Sequence, residues 1–149
     1  MEKRLLVAFM AAALLLYAGK GGTTVSGFSA ASVRGSYAAT FHGTDDGTGV
    51  LTADGAGNIT GGTETVNDGT NICVGTITGS YAVNPDGTGT LTIVFTTTSS
   101  VTGLCPSSPV TSHAAIALVS SSRIEVSGTD PALLESGSLT RQQFPHSDD

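Results

Sequence analysis

Apolar and polar side chains alternate with a period of two along most of the chain after residue 33. In the first such stretch Tyr37, Ala39 and Phe41 occupy every second position, and smaller or polar residues lie between them. This alternation is typical of a β-strand with one face in a core. The pattern predicts eight strands, with the bounds Arg34–Gly43, Gly49–Ala53, Ile59–Val66, Ile72–Val83, Thr88–Thr97, Thr111–Val119, Arg123–Gly128 and Leu133–Gln142.

Glycine, aspartate and asparagine separate the predicted strands. Asn84-Pro85-Asp86-Gly87 is the strongest turn signal, because Asp and Gly tolerate the backbone angles that tight hairpins require. A strand-turn-strand unit is written twice: Gly-Ser-Tyr-Ala begins at Gly35 and at Gly79, and Asp-Gly-Thr-Gly begins at Asp46 and at Asp86. Most connections are three to five residues long, which favours antiparallel pairing between sequence neighbours.

We therefore predict an all-β fold in which eight antiparallel strands form an up-and-down meander. At eight strands such a meander closes into a barrel whose interior is filled by side chains or holds one small ligand. A β-sandwich is the alternative, and it requires a crossover between two sheets. Only the segment Thr98–Val110 is long enough for a crossover, and its serines, glycine and prolines predict an irregular loop.

The N-terminus has the layout of a secretory signal peptide. Met1–Arg4 is basic, Leu5–Ala18 is almost entirely apolar, and small polar residues follow. The apolar run is shorter than the roughly 20 residues of a membrane-spanning helix, although an uncleaved N-terminal anchor is an alternative. We expect cleavage between Gly21 and Ala31 and a secreted, periplasmic or cell-envelope location. The predicted organisation is a signal helix and spacer over 1–31, a single barrel domain over 32–142 and an acidic tail over 143–149.

Cys73 and Cys105 are the two cysteines of the chain. In an exported protein an even number of cysteines predicts a disulfide, which here would fasten the 98–110 loop to the start of the fourth strand. A metal site at this pair would need further ligands, and no histidine lies within several residues of either cysteine.

Charge excludes two classes of partner. From Ser32 onward three arginines oppose eight aspartates and three glutamates, which gives a net charge of −8. Nucleic acids and anionic membranes select for basic patches, so neither is expected as a partner. We also expect no transmembrane domain in the mature chain. An outer-membrane barrel needs strands of about 9–11 residues, and the second and seventh predicted strands are shorter.

A β-rich domain of secreted proteins from environmental bacteria resembles this chain in the succession GSYAATF, ADGAGNITGG, TGSYAVNPDGTGTLT, IALVSSSRIEVSGTD and LLESGSLTRQ. The resemblance covers nearly all of Arg34–Gln142 and implies an exported β-rich fold, without an established activity. The predicted architecture is also similar to the avidin and lipocalin barrels. Avidin-like pockets are lined by tryptophan and lipocalins carry Gly-x-Trp near the first strand, whereas this chain has no tryptophan and has Gly35-Ser36-Tyr37 at the matching place. No ligand-binding residue of either family is carried over.

His42 with Asp45, Asp46 and Glu64 is the nearest approach to a metal or catalytic cluster in the sequence. Alternation places His42 opposite Phe41, so its side chain is expected in solvent. The two aspartates lie where a turn requires them. We therefore predict no catalytic residue and no metal ligand in this stretch.

Other polar motifs have simpler explanations. The Asp-Gly-x-Gly turns that begin at Asp46, Asp54 and Asp86 offer too few oxygens for a calcium loop, although a weak ion shared between adjacent loops is an alternative. His113 lies among small apolar residues with no partner visible in the sequence and is expected at a strand end or on the surface. No nucleophile elbow, zinc-protease helix or phosphate loop is present, and no cofactor is expected.

The predicted inward face is first of all a core, and its functional interpretation is a pocket for an apolar ligand. The candidate pocket residues are Tyr37, Phe41, Tyr81 and Phe95, with the tyrosine hydroxyls as polar groups in an apolar cavity. We expect an exported, non-enzymatic module with a structural, adhesive or surface-interaction role, whose partner is a cell surface or another copy of the chain. The alternatives are a carrier of a small apolar ligand and a barrel enzyme of the cyclase or isomerase type, which would need an inward His, Glu or Tyr cluster.

Overall fold

The computed structural model describes residues 27–131 and 135–143 and shows one closed eight-stranded antiparallel barrel. Each strand pairs with the next in the sequence, and the first strand pairs with the last to close the sheet. The predicted barrel is confirmed over the sandwich. The predicted signal helix and most of the predicted tail lie outside the described residues.

The strands are β1 (Arg34–Gly43), β2 (Asp46–Asp54), β3 (Asn58–Asn67), β4 (Ile72–Val83), β5 (Thr88–Thr102), β6 (Val110–Ser120), β7 (Arg123–Gly128) and β8 (Glu135–Arg141).

The predicted bounds of β1, β4 and β7 agree with the structure, and those of β2 and β5 were too short. β5 continues to Thr102 because its threonine- and serine-rich end still pairs with the start of β4, with Ser100 opposite Cys73 and Thr102 opposite Ile72. Threonine suits a pleated strand whether or not it is buried. The irregular loop therefore covers residues 103–109 rather than 98–110.

Inward side chains from all eight strands form the barrel core. Tyr37, Leu51 and Ile124 are the largest fully buried side chains. Bulky inward residues fit because glycine faces the interior beside them: Gly47 and Gly137 lie opposite Phe41 on its two neighbouring strands. A Cβ at Gly137 would come within 2.9 Å of the Phe41 ring. Glycine is therefore required there by a close approach, not by a turn.

The segment before β1 and two tyrosines close one end of the barrel. Val33 is buried in the core, and a 3-10 turn at Ala30–Ser32 precedes it. The Tyr81 hydroxyl donates to the Val33 carbonyl at 2.6 Å and lies 3.1 Å from the Ala30 carbonyl. The Tyr37 hydroxyl donates to the Ser121 carbonyl at 3.0 Å. These bonds satisfy the buried tyrosine hydroxyls with backbone carbonyl acceptors.

The predicted disulfide is present between Cys73 on β4 and Cys105 in the 103–109 loop. A side-chain bond supports the same connection, because Asn71 Oδ1 accepts from the Leu104 amide at 2.7 Å. The loop is therefore attached to the barrel at the end opposite the tyrosines. Over the described residues, no helix has the length and apolar character needed to cross a membrane.

Replacing both cysteines in a Cys73→Ser/Cys105→Ser variant should lower the free energy of unfolding by about 2–5 kcal/mol, because the unfolded chain regains the freedom that the cross-link removes. Urea unfolding followed by circular dichroism measures this loss, and the wild-type protein in reductant should behave like the variant. Equal midpoints for the oxidised protein and the variant would show that the bond does not stabilise the barrel.

Candidate functional site in the barrel cavity

A cavity of about 200 Å³ occupies the half of the barrel next to the 103–109 loop. Loops 44–45 and 68–71 lie at the same end, together with the end of β7 and the start of β8. Most of the wall is apolar. Its largest apolar residues are Phe41, Leu51, Ile77, Leu91, Ile93 and Phe95.

The space exists because β6 and β7 present small side chains to it. Ser112 and Ala114 on β6 and Gly128 at the end of β7 line the cavity opposite the larger residues. An eight-stranded barrel is only just wide enough to be filled by side chains. A run of small inward residues on two adjacent strands therefore leaves room for one small molecule.

Four carboxyl groups line the same cavity: Asp45, Glu64, Asp68 and Glu135. They come from four different parts of the chain, and the barrel brings them together at its loop end. Asp68 is exposed, whereas the other three are partly buried. The cavity thus changes from an apolar interior to an acidic, solvent-exposed mouth.

A β-bulge in β3 turns Glu64 inward. Thr52 and Ala53 on β2 are consecutive, but their partners Gly61 and Ile59 on β3 are two residues apart. Strict alternation from the buried Ile59 would place Glu64 outside. The extra residue, Thr60, reverses the side assignment for the rest of the strand, so Glu64 faces the cavity with Val66.

Desolvation in this position raises the pKa of the Glu64 carboxyl from 4.5 to about 7, and the nearby Glu135 carboxylate adds to the rise. Glu64 Oε1 and the Phe41 ring both border the space that a side chain at position 47 would occupy. Among the described residues, no group donates a hydrogen bond to the Glu64 carboxyl. Glu64 can therefore hold or release a proton near neutral pH.

Two of the three neighbouring carboxyls show the same trend, whereas hydrogen bonds from Asn71 and Thr70 lower the pKa of Asp68. Burial raises the pKa of Glu135, and the charge of Asp45 raises it further. The pKa of Asp45 is also raised by burial, then by the charges of Asp68 and Asp46. Mutual repulsion among partly buried carboxylates disfavours their full ionisation.

The predicted pocket residues divide into two pairs. Phe41 and Phe95 line the cavity. Tyr37 and Tyr81 lie at the opposite, closed end, and their hydroxyls are bonded to backbone carbonyls. Alternation identifies which face a residue occupies but not which end of the barrel it reaches, so the sequence did not separate the two pairs.

Both histidines of the predicted strands lie on the outer surface. His42 is exposed, as expected from alternation, and its Nδ1 lies 3.1 Å from Asp46 Oδ1. His113 is also exposed, but it has a partner that the sequence did not show: Asp130 contacts its Nδ1 at 2.9 Å and accepts from its amide at 2.7 Å. Bonds from His113 lower the pKa of Asp130.

Asp54 and Asp86 of the predicted turns are used by the turns themselves, whereas Asp45 lines the cavity and Asp46 contacts His42. Asp54 Oδ1 accepts from the amides of Ala56 and Asn58 at 2.7 and 3.0 Å, and bonds from Asn58 lower the Asp54 pKa. Asp86 accepts in the same way from Thr88, at 2.9 Å. In residues 27–131 and 135–143, no group of three or more metal-ligating side chains is found.

Glu64 was dismissed as a site residue together with His42, and Glu135 was not among the candidates. For Glu135 the signal was present, because alternation counted back from the buried Leu139 places it inward. For Glu64, alternation counted from the start of β3 predicts an outward side chain, and alternation counted from its end predicts an inward one. The adjacent glycines Gly61 and Gly62 indicate the bulge between them.

The Glu64→Gln variant should change how stability depends on pH. Below about pH 4.5 the carboxyl is neutral in both folded and unfolded wild-type protein. As pH rises from there through the folded pKa of about 7, the unfolded chain releases this proton before the folded protein does. The free energy of unfolding of the wild-type protein therefore falls, by on the order of 2–3 kcal/mol. Glutamine cannot ionise, so the variant should gain this amount relative to wild type between pH 4.5 and pH 8.

Urea unfolding at several pH values measures this difference. Glu125→Gln is the matched control, since Glu125 lies on the outer face and pairs with Arg123 at 2.7 Å. Parallel stability profiles for wild type and Glu64→Gln would contradict the buried position of this carboxyl.

Comparison of this chain with protein-family models, with curated proteins and with solved structures found no match. The site is therefore characterised by its own geometry: an apolar barrel cavity of about 200 Å³ with partly buried carboxyl groups at its mouth.

Proposed function

We propose that this protein is an exported, non-enzymatic barrel that carries a small ligand in its interior. The observation that carries the proposal is the cavity of about 200 Å³ between large apolar residues of β1, β4 and β5 and small residues of β6 and β7. An enclosed apolar cavity of about 150 Å³ is enough for a molecule the size of benzene. A single-ring or short-chain compound would fit this one.

The two ends of the barrel support a carrier with one entrance. The closed end is sealed by the Tyr37 and Tyr81 hydroxyl bonds and by Val33. At the other end, Pro106 of the disulfide-bonded loop lines the cavity, as does Cys73 itself. A cross-linked loop at the mouth reduces the ordering that binding would require, which favours affinity.

The disulfide fits an extracellular setting, where such bonds form and persist. Export itself is inferred from the basic and apolar N-terminal sequence. A carrier in that setting would collect its ligand outside the cytoplasm.

A structural or adhesive role is the second proposal, and exposed apolar side chains favour it. Leu104 is 91% exposed and Val101 is 64% exposed, both near the disulfide-bonded loop. Exposed apolar residues gathered at one end are typical of contact surfaces. A Leu104→Ser/Val101→Ser variant should lose self-association or surface retention in size-exclusion and pull-down measurements, and an inert wild-type monomer would count against this role.

A barrel enzyme of the cyclase or isomerase type is the remaining proposal for the same cavity. It required an inward acid-base group, and Glu64 now meets that condition. An enzyme would release a product that differs from the compound it bound. A carrier releases its ligand unchanged, which mass spectrometry of the released compound establishes.

Filling the cavity should weaken binding without unfolding the barrel. Ala114→Leu adds volume to a lining position of β6, whereas Ala115→Leu adds the same volume to the exposed face of the same strand. Because a bound ligand stabilises only the folded state, benzyl alcohol should raise the melting temperature of wild type and of Ala115→Leu. Its affinity for Ala114→Leu should be at least about tenfold weaker, since displaced volume removes its contacts.

Native mass spectrometry of protein purified under mild conditions gives an independent test. Retained small molecules should be present in wild type and absent from Ala114→Leu. Equal occupancy in both variants would place any bound compound outside the cavity and defeat the carrier proposal.

A further inference from the structure

The barrel cavity carries negative charge that its own wall does not balance. Among the described residues that line it are four carboxyl groups and neither lysine nor arginine. His113 also borders this space, but its side chain lies on the outer surface, where its Nδ1 is paired with Asp130 at 2.9 Å. A cleft with one sign of charge and low-dielectric walls concentrates ligands of the opposite sign.

Glu64 and Glu135 bring this charge into contact with the apolar part of the cavity. They lie on different strands, β3 and β8, yet each lines the cavity and the Glu135 charge acts on Glu64. Neither carboxyl receives a hydrogen bond from a described residue. Partly buried carboxylates without hydrogen-bond donors are unfavourable. A ligand that supplies donors and positive charge would provide the missing hydrogen bonds and also balance the negative charge.

We propose that the ligand of this cavity is a small organic cation, with an ammonium group held by the carboxylates of Glu64 and Glu135 and an apolar body in the barrel. The inference rests on the proposed carrier function and specifies the chemical class of its ligand. An ammonium group provides three donors, enough for both carboxylates. The aromatic rings of Phe41 and Phe95 lie in the same wall, and aromatic rings attract cations.

Other ligand classes fit these observations less well. An anion would meet the repulsion of the carboxyl groups. A neutral apolar molecule would fill the cavity but leave the carboxyl groups without hydrogen-bond donors. A bare metal ion would need several fixed oxygen ligands, and no such group is found among the residues that the structure describes.

Three probes of similar size and different charge test this inference: benzylamine, benzyl alcohol and benzoate. Calorimetric titration of the disulfide-bonded protein at pH 7.5 should give an affinity for benzylamine at least about tenfold higher than for benzyl alcohol, since hydrogen bonds to charged groups exceed neutral ones by about this factor. Benzoate should bind most weakly.

Charge-removing variants locate the ammonium group. Glu64→Gln and Glu135→Gln should each weaken benzylamine binding about tenfold and change benzyl alcohol binding much less. Retained benzyl alcohol binding also shows that each variant is folded. Glu125→Gln removes an outer-face carboxylate that pairs with Arg123 and should affect none of the three probes.

The outcomes separate this inference from the function on which it rests. Equal binding of benzylamine and benzyl alcohol would overturn the cationic ligand and leave the carrier intact. Failure of all three probes to bind would overturn both. Displacement of benzylamine by calcium chloride, but not by sodium chloride of equal ionic strength, would assign the carboxylates to an inorganic cation and overturn the organic one.

Discussion

The pairing of β1 with β8 is the constraint on which the rest of the structure depends. Seven residue pairs join the two strands, from Tyr37–Arg141 to Gly43–Glu135. They remove both edges of the sheet, which would otherwise present unpaired backbone groups. They also give the chain an enclosed interior, so that Glu135 at the beginning of β8 lies near Glu64 of β3. Without closure there would be neither a cavity nor a cluster of carboxyls at its mouth.

The interior is filled unequally along the barrel axis, and this asymmetry gives the protein its site. At one end Tyr81 is bonded to Val33 and Tyr37 to Ser121, and residues before β1 complete the packing. At the other end the small inward residues of β6 and β7 leave space. The segment that closes the barrel begins at Phe28, whose amide donates to the Pro85 carbonyl at 3.1 Å. The barrel is therefore filled by side chains at one end and contains a cavity at the other.

The carboxyls in this cavity oppose stability, which is a reason to connect them with function. A glutamate whose pKa is raised to about 7 by burial makes the folded state less stable at neutral pH than an uncharged residue would. Groups of this kind cluster at binding and catalytic sites, although structural networks also produce them. Here no described residue compensates Glu64. A cationic ligand would supply the missing partner.

The sequence by itself determined the strand order, the antiparallel pairing and the disulfide, because alternation, turn residues and a single pair of cysteines are signals that the linear chain carries. It favoured a closed barrel with a β-sandwich as the alternative, and the pairing of β1 with β8 decided between them. The sequence also placed Phe41 inward and His42 outward. Only the tertiary structure decided which end of the barrel is open, since Tyr37 and Phe41 share a face but lie near opposite ends. It also decided the direction of Glu64, because the bulge at Thr60 depends on pairing with β2. Position along the axis and strand register are set by neighbouring strands, and a single strand's pattern does not contain them.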